Sequence, residues 1–428
     1  MALIPLEEAQ KHIFEQISCL SAAEVAVDEA LGLVTAQDIA SPEPIPAWDN
    51  TAMDGFAVRS SDTIGASEQT PVVLEVVGTL PAGAQPETSV QQGQAIRIMT
   101  GAPMPPGADS VVQVELTRSS VGTTSLGATS SNSDSPNPAT APSEAEQVEI
   151  FQQVQPGTHI RRAGEDLTAG QLAVPAQTCL TPAPLGVLSS IGVTKISAYP
   201  KPRVAVFSTG DELISDGSPL EVGQIRDSNR IAIISLAQEA QCEPINGGVI
   251  PDDETAIGEA FLKHAQTCDA IITTGGVSMG DYDYVKVVLD RIGQMRWMQI
   301  AIRPAKPLAF GTVSGTPVFG LPGNPVSCMV SFELFARPAL RKMAGHTQIQ
   351  RLRRRGIAAE ALPRRSDGKT HFARVSWNYS DGQFWLRSAG GQGSHQLSGM
   401  AAANGLAVLA DSDGIAQGEE VEFIQLGG

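Results

Sequence analysis

Three glycine-bearing segments each follow an apolar run: Ser208-Thr209-Gly210-Asp211-Glu212, Thr274-Gly275-Gly276-Val277-Ser278 and Leu321-Pro322-Gly323-Asn324-Pro325. If those runs are strands of an open α/β sheet, the turns lie at its carboxyl edge, where ligands bind. Glycine exposes backbone N–H groups to an anion, and a following helix start adds positive potential. Asn324 suits an N-cap and Pro325 a first helical position. One such turn is ordinary in any parallel sheet. Three of them, with acidic residues beside them, point to a phosphate-bearing ligand. There is no GxGxxG after a first strand and no GxxxxGK[ST], so neither a Rossmann dinucleotide site nor a P-loop is expected.

The acidic residues are Asp211 and Glu212, Asp227 in IRDSNR, Asp281 and Asp283 after GGVSMG, Asp49 and Asp54 in WDNTAMDGFAV, and Glu165 and Asp166 in RRAGED. Carboxylates gathered at a phosphate-binding edge repel one another unless they hold Mg²⁺, which takes one or two of them plus phosphate oxygens. Asp49 and Asp281 read most simply as turn or cap residues. Asp54, Asp166, Asp227 and Asp283 matter if the fold brings them together, which spacing alone does not show. Arg303 and Lys306, in IRPAKP, read either as solvated charges at a strand turn or as a clamp on an oxyanion. Arg161 and Arg162 carry the same two readings.

The elements that must position these groups follow from periodicity. Residues 5–18 read as a helix with Leu6, Ala9, Ile13 and Ile17 on one face. From 203 to 335, apolar strands (RVAVFS, EPINGGVI, DAIITT, MQIAI, PLAFGT, TPVFGLP) alternate with helices (IAIISLAQEAQ, ETAIGEAFLKHAQ, YVKVVLDRIG, PVSCMVSFELFARPAL). That pattern predicts a doubly wound sheet covered on both faces. Residues 56–116 and those after 356 read as short strands with Gly, Pro and Asp turns, hence β-domains. Residues 117–147 lose almost every bulky apolar residue and read as a flexible insertion. RLRRR at 351–355 is a basic stretch after the last helix.

Composition bounds the function. Hydrophobic residues make up 42%, as in a globular chain. The 428 residues carry 29 basic and 46 acidic side chains, a formal charge of −17, which argues against nucleic acid and anionic membrane as main partners. A local cationic cluster or a bound cation still permits a small anion. The five cysteines have no CxxC spacing and are odd in number, so buried free thiols are expected, with no cysteine nucleophile. The start of the chain reads as an acidic amphipathic helix and not a signal peptide, and no apolar run spans a membrane, so the cytoplasm is the default expectation.

DNTAMDGFAVR (49–59), RIMTGAP (97–103), IRRAGED (160–166), VFSTGDEL (206–213), IRDSNR (225–230), TTGGVSMGDYDYVK (273–286), LPGNPVS (321–327) and QGSHQLS (392–398) together resemble the molybdopterin molybdenumtransferase family, the type that includes MoeA and the E domain of gephyrin. The resemblance implies an α/β and β multidomain chain. A doubly wound molybdopterin-binding domain takes 1–20 and 181–340, and an elongated linking domain takes 21–50 and 155–180. An inserted β-domain takes 51–154, and a C-terminal β-barrel takes 345–428.

It also implies insertion of molybdenum from molybdate into adenylylated molybdopterin with release of AMP. Asp54, Thr100, Asp166, Glu212, Asp227 and Asp283 would act at the reacting centre, with Asp54, Asp227 and Asp283 on Mg²⁺. Ser208, Thr209, Gly210, Gly275, Gly276, Ser278, Pro322, Gly323, Asn324 and Pro325 would bind or shape around substrate. Arg303, Lys306 and Ser327 would hold molybdate, joined by Arg374, Ser394 and Ser398. A cytoplasmic homodimer with its cleft between subunits is implied, as is contact with a molybdopterin adenylyltransferase. Alanine at 54, 227 or 283 should then abolish turnover with little change in thermal midpoint.

The chain departs from the family where Arg303-Pro304-Ala305-Lys306-Pro307 replaces Lys-Pro-Gly-Lys-Pro, and where Gln299 replaces an expected lysine. Arginine forks its donors, and Ala305 adopts positive φ less cheaply than glycine. Adenylylation of apo-pterin by ATP is the competing activity, a non-catalytic scaffold is the competing class, and a preference for tungstate is a further alternative.

Overall fold

The computed structural model describes residues 3–119, 146–276 and 284–427. Contacts divide the chain into two units, one of residues 1–37, 175–185 and 194–428, the other of 38–174 and 186–193.

The first unit is organised by a six-stranded sheet. Arg203–Thr209, Glu243–Ile250, Ala270–Thr274 and Thr316–Leu321 run parallel, in the spatial order 243, 203, 270, 316. Pro307–Val313 and Gly293–Gln299 then extend the sheet antiparallel. Residues 204–207 and 270–273 are fully buried, as continuous apolar strands with two covered faces require. Helices Asn229–Glu239, Glu254–Ala265 and Tyr284–Ile292 form where the 3.6-residue pattern predicts them. The expected MQIAI strand ends at Gln299, because Ile300 turns to donate its N–H to the Lys306 carbonyl, 2.7 Å away.

The same unit contains a closed five-stranded barrel. Thr370–Ser380 pairs with Gln383–Ser388, which pairs with Arg353–Ala358, then Glu420–Gln425, then Gly405–Leu409, which returns to the first strand. Two residues outside the barrel, Ile302 and Arg303, pair in parallel with Thr370 and His371. Phe372, Leu406 and Ile424 of the barrel share one apolar core with Phe310 and Phe319 of the sheet and with Leu6 and Ile13 of the first helix, Leu6–Glu15.

The helix expected over 325–340 contains a π turn, Phe332–Ala336, between Pro325–Ser331 and Arg337–Met343. Pro338 supplies the reason, since it has no N–H for the Leu334 carbonyl four residues back. The buried Gln10 side chain donates to that carbonyl instead, at 2.9 Å. The basic run divides between one largely buried and three exposed arginines. Arg351 is largely buried against Glu333 and Glu239, and Arg353 and Arg355 pair across strands with Glu422 and Glu420.

In the second unit, Gly55–Val58 is a wholly buried strand between Gln94–Ile98 and Ser110–Gln113 in a six-stranded sheet. The ends of the expected insertion are ordered strand: Thr117–Ser119 and Gln147–Ile150 pair with each other, because Val148 and Ile150 face the core. The remainder, 120–145, lies outside the described residues. The cysteine expectation holds in part. All five described thiols are free, and Cys242, Cys268 and Cys328 are buried, but Cys19 and Cys179 are exposed because their loops lie at the surface. Among the described residues no helix is long and apolar enough to cross a membrane.

Removing Gln10 tests the repair of the π turn. Gln10→Met keeps the volume and strands a buried carbonyl, so chemical denaturation should show a loss of about 1–3 kcal/mol. An unchanged midpoint would mean water satisfies Leu334.

Candidate oxyanion and phosphate site

The three glycine turns come together because their strands are neighbours and parallel. Ser208 and Thr274 pair across the sheet, as do Thr274 and Leu321. The Gly275 N–H donates to the Leu321 carbonyl at 3.1 Å. Gly275 has φ +88, and a Cβ there would stand 3.2 Å from the Thr209 carbonyl, so this edge needs glycine. Pro322 is buried, Gly323 and Asn324 are exposed, and the Asn229 amide holds the Gly323 carbonyl at 2.7 Å. Asn324 sits at the N-cap but its side chain makes no capping bond; it lines a pocket instead. Pro325 begins the helix as expected. Gly276 follows Gly275 at positive φ, while Ser278, Asp281 and Asp283 lie outside the described residues.

Asp227 is the buried carboxylate of this edge. Its oxygens accept from Ser208 Oγ (3.0 Å), Arg230 N (3.2 Å) and Arg230 Nε (2.7 Å), and the Ser208 hydroxyl also meets Thr274 Oγ1 at 2.8 Å. Arg230 is itself buried and extends to Asn246 Oδ1. Alanine at 227 would leave that guanidinium uncompensated, which costs about 3–5 kcal/mol when a buried pair is broken. At this position the buried pair predicts a lowered midpoint, against the little change expected from sequence. Glu212 and Asp211 are exposed beside Gly210, and Asp211 accepts from the Asp252 N–H at 3.1 Å.

A pocket of about 350 Å³ gathers Arg303, Lys306, Asn324, Ser327 and Ser394. The parallel pairing of 302–303 with 370–371 brings Lys369 and Asp367 to its wall, and Gln392 completes it. The helix start is tied to the barrel by Val326 N, which donates to the Ser394 carbonyl at 3.1 Å. Three cations, Arg303, Lys306 and Lys369, thus share the wall with one carboxylate, Asp367, which also pairs with Arg364 at 3.3 Å. Asp367 accepts from Lys369 Nζ (2.9 Å) and His371 Nε2 (3.0 Å), with Arg303 at 3.8 Å. The Lys369 hydrogen bond, followed by that from His371, holds its carboxyl down at about 2. Burial lowers the affinity of His371 for its proton. Ala305, 2% exposed, takes φ +74 at the turn between the two cations.

Two expected members lie elsewhere. Arg374 is buried behind the pocket wall, donating to the Gly391 carbonyl, while Gln392 bonds to both its N–H and its carbonyl. Ser398 is exposed on the short helix Leu397–Ala401 and does not line the pocket. Lys369, Asp367 and Gln392 were not singled out from sequence. Asp367-Gly368-Lys369 looks like any polar turn until the barrel closes.

In the second unit the register explains Asp54. Gly55 lies opposite Ile98, so Asp54, one residue earlier, meets Thr100, whose N–H and hydroxyl donate to Oδ1 at 2.7 and 2.8 Å. Those bonds, the backbone one foremost, hold the exposed Asp54 carboxyl below its usual range. Asp166 is exposed, fixed through its N–H to the Ile45 carbonyl. Asp49 is a turn residue, accepting from Arg162 Nη1 and Ala163 N. Among the described residues no three His, Cys, Asp or Glu gather to hold a metal.

A glycine-lined parallel-sheet edge beside a cationic pocket is the arrangement of an α/β protein with its polar groups gathered at one sheet edge. Its sequence relationships are more particular. Residues 4–192 match the "MoeA N-terminal region (domain I and II)", 205–342 the "Probable molybdopterin binding domain" and 356–426 the "MoeA C-terminal region (domain IV)". A protein named molybdopterin molybdenumtransferase 2 from Mycobacterium tuberculosis is 37% identical over 412 residues, 94% of each chain. The molybdopterin molybdenumtransferase of Haemophilus influenzae is 35% identical over 98% of each chain. The crystal structure of the molybdopterin biosynthesis moeA protein from Pyrococcus horikoshii superposes with a TM-score of 0.77 at 30% identity, covering 99% of this chain and 100% of that one. The chain belongs to the molybdopterin molybdenumtransferase family.

Two measurements probe this pocket. At Ala305, glycine would relieve about 1–2 kcal/mol of left-handed strain and forfeit a similar sum in a buried methyl and chain entropy. Ala305→Gly should therefore stay within about 1 kcal/mol of the parent in denaturant melts, while branched Ala305→Val, which fits positive φ worst, should lose more than about 2. Asp367 has a folded pKa below its unfolded one. Its stabilising contribution is present above pH ~3.9 and is lost as pH falls through about 2. Difference melts against Asp367→Asn over pH 2–5 should trace that loss; a flat difference would deny the ion network.

Proposed function

We propose that this chain inserts molybdenum from molybdate into adenylylated molybdopterin with release of AMP, a step in molybdenum cofactor biosynthesis. The observation that carries the reading is the convergence of Arg303, Lys306 and Lys369 beside Ser327 at the end of the glycine-lined edge. A tetrahedral dianion fits cations with hydroxyl and amide donors between them. Ser208, Thr209, Gly210, Gly275, Gly276, Ser278 and the 322–325 turn serve the phosphorylated pterin, with Ser394 at the anion end and Arg374 bracing its wall from behind. Asp54, Thr100, Asp166, Glu212, Asp227 and Asp283 are assigned to the reacting centre.

In the reaction water cleaves the phosphoanhydride and AMP departs, while the two dithiolene thiols give their protons to a molybdate oxygen that leaves as water as the two Mo–S bonds form. The chain contributes position and charge. Arg303 and Lys306 hold the oxyanion without a covalent intermediate. Cys328 and Cys242 are unsuited to be nucleophiles, because burial pushes both thiols up, Cys242 to about 12. Asp54 fits magnesium: its carboxylate is exposed and ionised, and both bonds from Thr100 fall on one oxygen. Asp227 fits less well, since Arg230 and Ser208 already occupy its oxygens. When bound, the ion supplies positive charge against the phosphate oxygens. The same reading carries a cytoplasmic homodimer, contact with a molybdopterin adenylyltransferase, and the four-part division given by the family resemblance.

The test supplies adenylylated molybdopterin, Mg²⁺ and molybdate, and follows AMP release with reconstitution of a molybdenum-dependent apo-enzyme. Lys306→Gln and Asp54→Asn should each lower the rate by roughly 10²-fold, the scale for removing one preorganised charge-stabilising group, and chelation by EDTA should stop it until Mg²⁺ returns. Molybdate-independent AMP release, or adenylylation of apo-pterin by ATP alone, would sink the assignment.

A further inference from the structure

A second cationic pocket lies where the helix before the barrel meets it, and it shares no lining residue with the first. It encloses about 220 Å³ between Arg337 and Arg341 of the helix Arg337–Met343, Gln348, Gln350 and Arg351 of the connecting segment, and Gln425 of the final strand. Charge is unbalanced here. Arg351 spends its guanidinium on Glu333 (2.9 and 3.0 Å) and Glu239 (2.6 Å). Arg337 shares Glu333 with it, and Arg341 pairs with neither carboxylate.

Arg337 Nε is buried with no hydrogen-bond partner, 3.8 Å from Glu333, and its Nη1 makes one long bond of 3.3 Å to the Ile349 carbonyl. The Arg337 side chain is only 10% exposed. Arg341 makes a similar 3.3 Å bond to the Gln348 carbonyl. Burial, and then the neighbouring Arg351, weakens the hold of Arg337 on its proton, to about 10. Nearby His346 is kept neutral by burial and by Arg341 and Arg337, at about 4, so it adds no charge of its own.

We propose that this pocket binds a tetrahedral oxyanion of the phosphate type, held by Arg337 and Arg341 and by the amides of Gln348, Gln350 and Gln425. Arg337 and Arg341 each spend only one long bond on a backbone carbonyl, which leaves charged N–H donors for an anion in the pocket. Donors from a helix, a connecting segment and a strand surround an acceptor on several sides, which matches oxygens arranged tetrahedrally better than a flat carboxylate. The bound anion ties the helix to the barrel and stabilises the folded chain by mass action. None of this depends on the proposed reaction, because neither pterin nor molybdate chemistry enters it.

The experiment is calorimetric titration of the full chain with inorganic phosphate, and separately with AMP, at constant ionic strength in chloride. It is run in a Lys306→Gln background to weaken the first pocket. The expected result is one phosphate per chain, with affinity reduced roughly tenfold by Arg341→Gln, the loss of one charged hydrogen bond. Gln350→Glu, which places a carboxylate among the donors and leaves every arginine, should weaken it at least as much and serves if Arg341→Gln misfolds by circular dichroism. Competition by AMP at the same Arg341-sensitive site would identify a phosphorylated ligand. Phosphate binding without that competition would identify the free oxyanion. No phosphate binding above chloride, or binding that both substitutions leave within twofold, overturns the proposal.

Discussion

The parallel pairing of Ile302 and Arg303 with Thr370 and His371 is the contact on which the candidate site most depends. Without it the barrel would be a separate module and Arg303 a solvated charge after a strand. With it, Lys369 and Asp367 stand beside Lys306, and residues more than sixty positions apart form one pocket wall. The pairing is short, so it needs support. The shared apolar core supplies part of this, running from Leu6 through Phe310 to Leu406. The Ile300–Lys306 bond and the Val326–Ser394 bond supply the rest.

A chain with a net charge of −17 repels anions at long range. Binding molybdate or phosphate therefore requires cations concentrated locally and shielded from acidic neighbours. The first pocket does this with three cations and a single carboxylate, Asp367, whose hydrogen bonds keep the Lys369 ammonium and the His371 ring in place. The second does it by setting three arginines near only two carboxylates, Glu333 and Glu239, which Arg351 and Arg337 take up and Arg341 does not. In the second pocket Arg337 and Arg351 are largely buried, and in the first Lys369 is held by Asp367, so those side chains need little further ordering at binding.

Asp227 shows how a residue can be both a site candidate and a structural one. Its hydrogen bonds join the 208 turn to the helix that follows it, and its pair with Arg230 is buried. Removing it changes the edge itself as well as any ligand there. Asp54 differs. It is exposed, its carboxylate is held by the N–H and hydroxyl of Thr100, and its loss leaves no buried charge behind.

Periodicity by itself determined the α/β alternation over 203–335, the glycine turns after apolar strands and the β character of the flanking regions, because these are local properties of backbone sterics and side-chain pattern. Eight ordered motifs pointed to the family. Tertiary structure alone decided which charges meet. Sequence could not show that Arg351 is buried by Glu333, that Gln10 serves the carbonyl freed by Pro338, or that Cys19 and Cys179 stay at the surface. Nor could it show that Lys369 faces the pocket while Arg374 braces it from behind. Each of these outcomes depends on contacts across long stretches of chain, and pairing register and burial arise only when the sheet and barrel close on a common core.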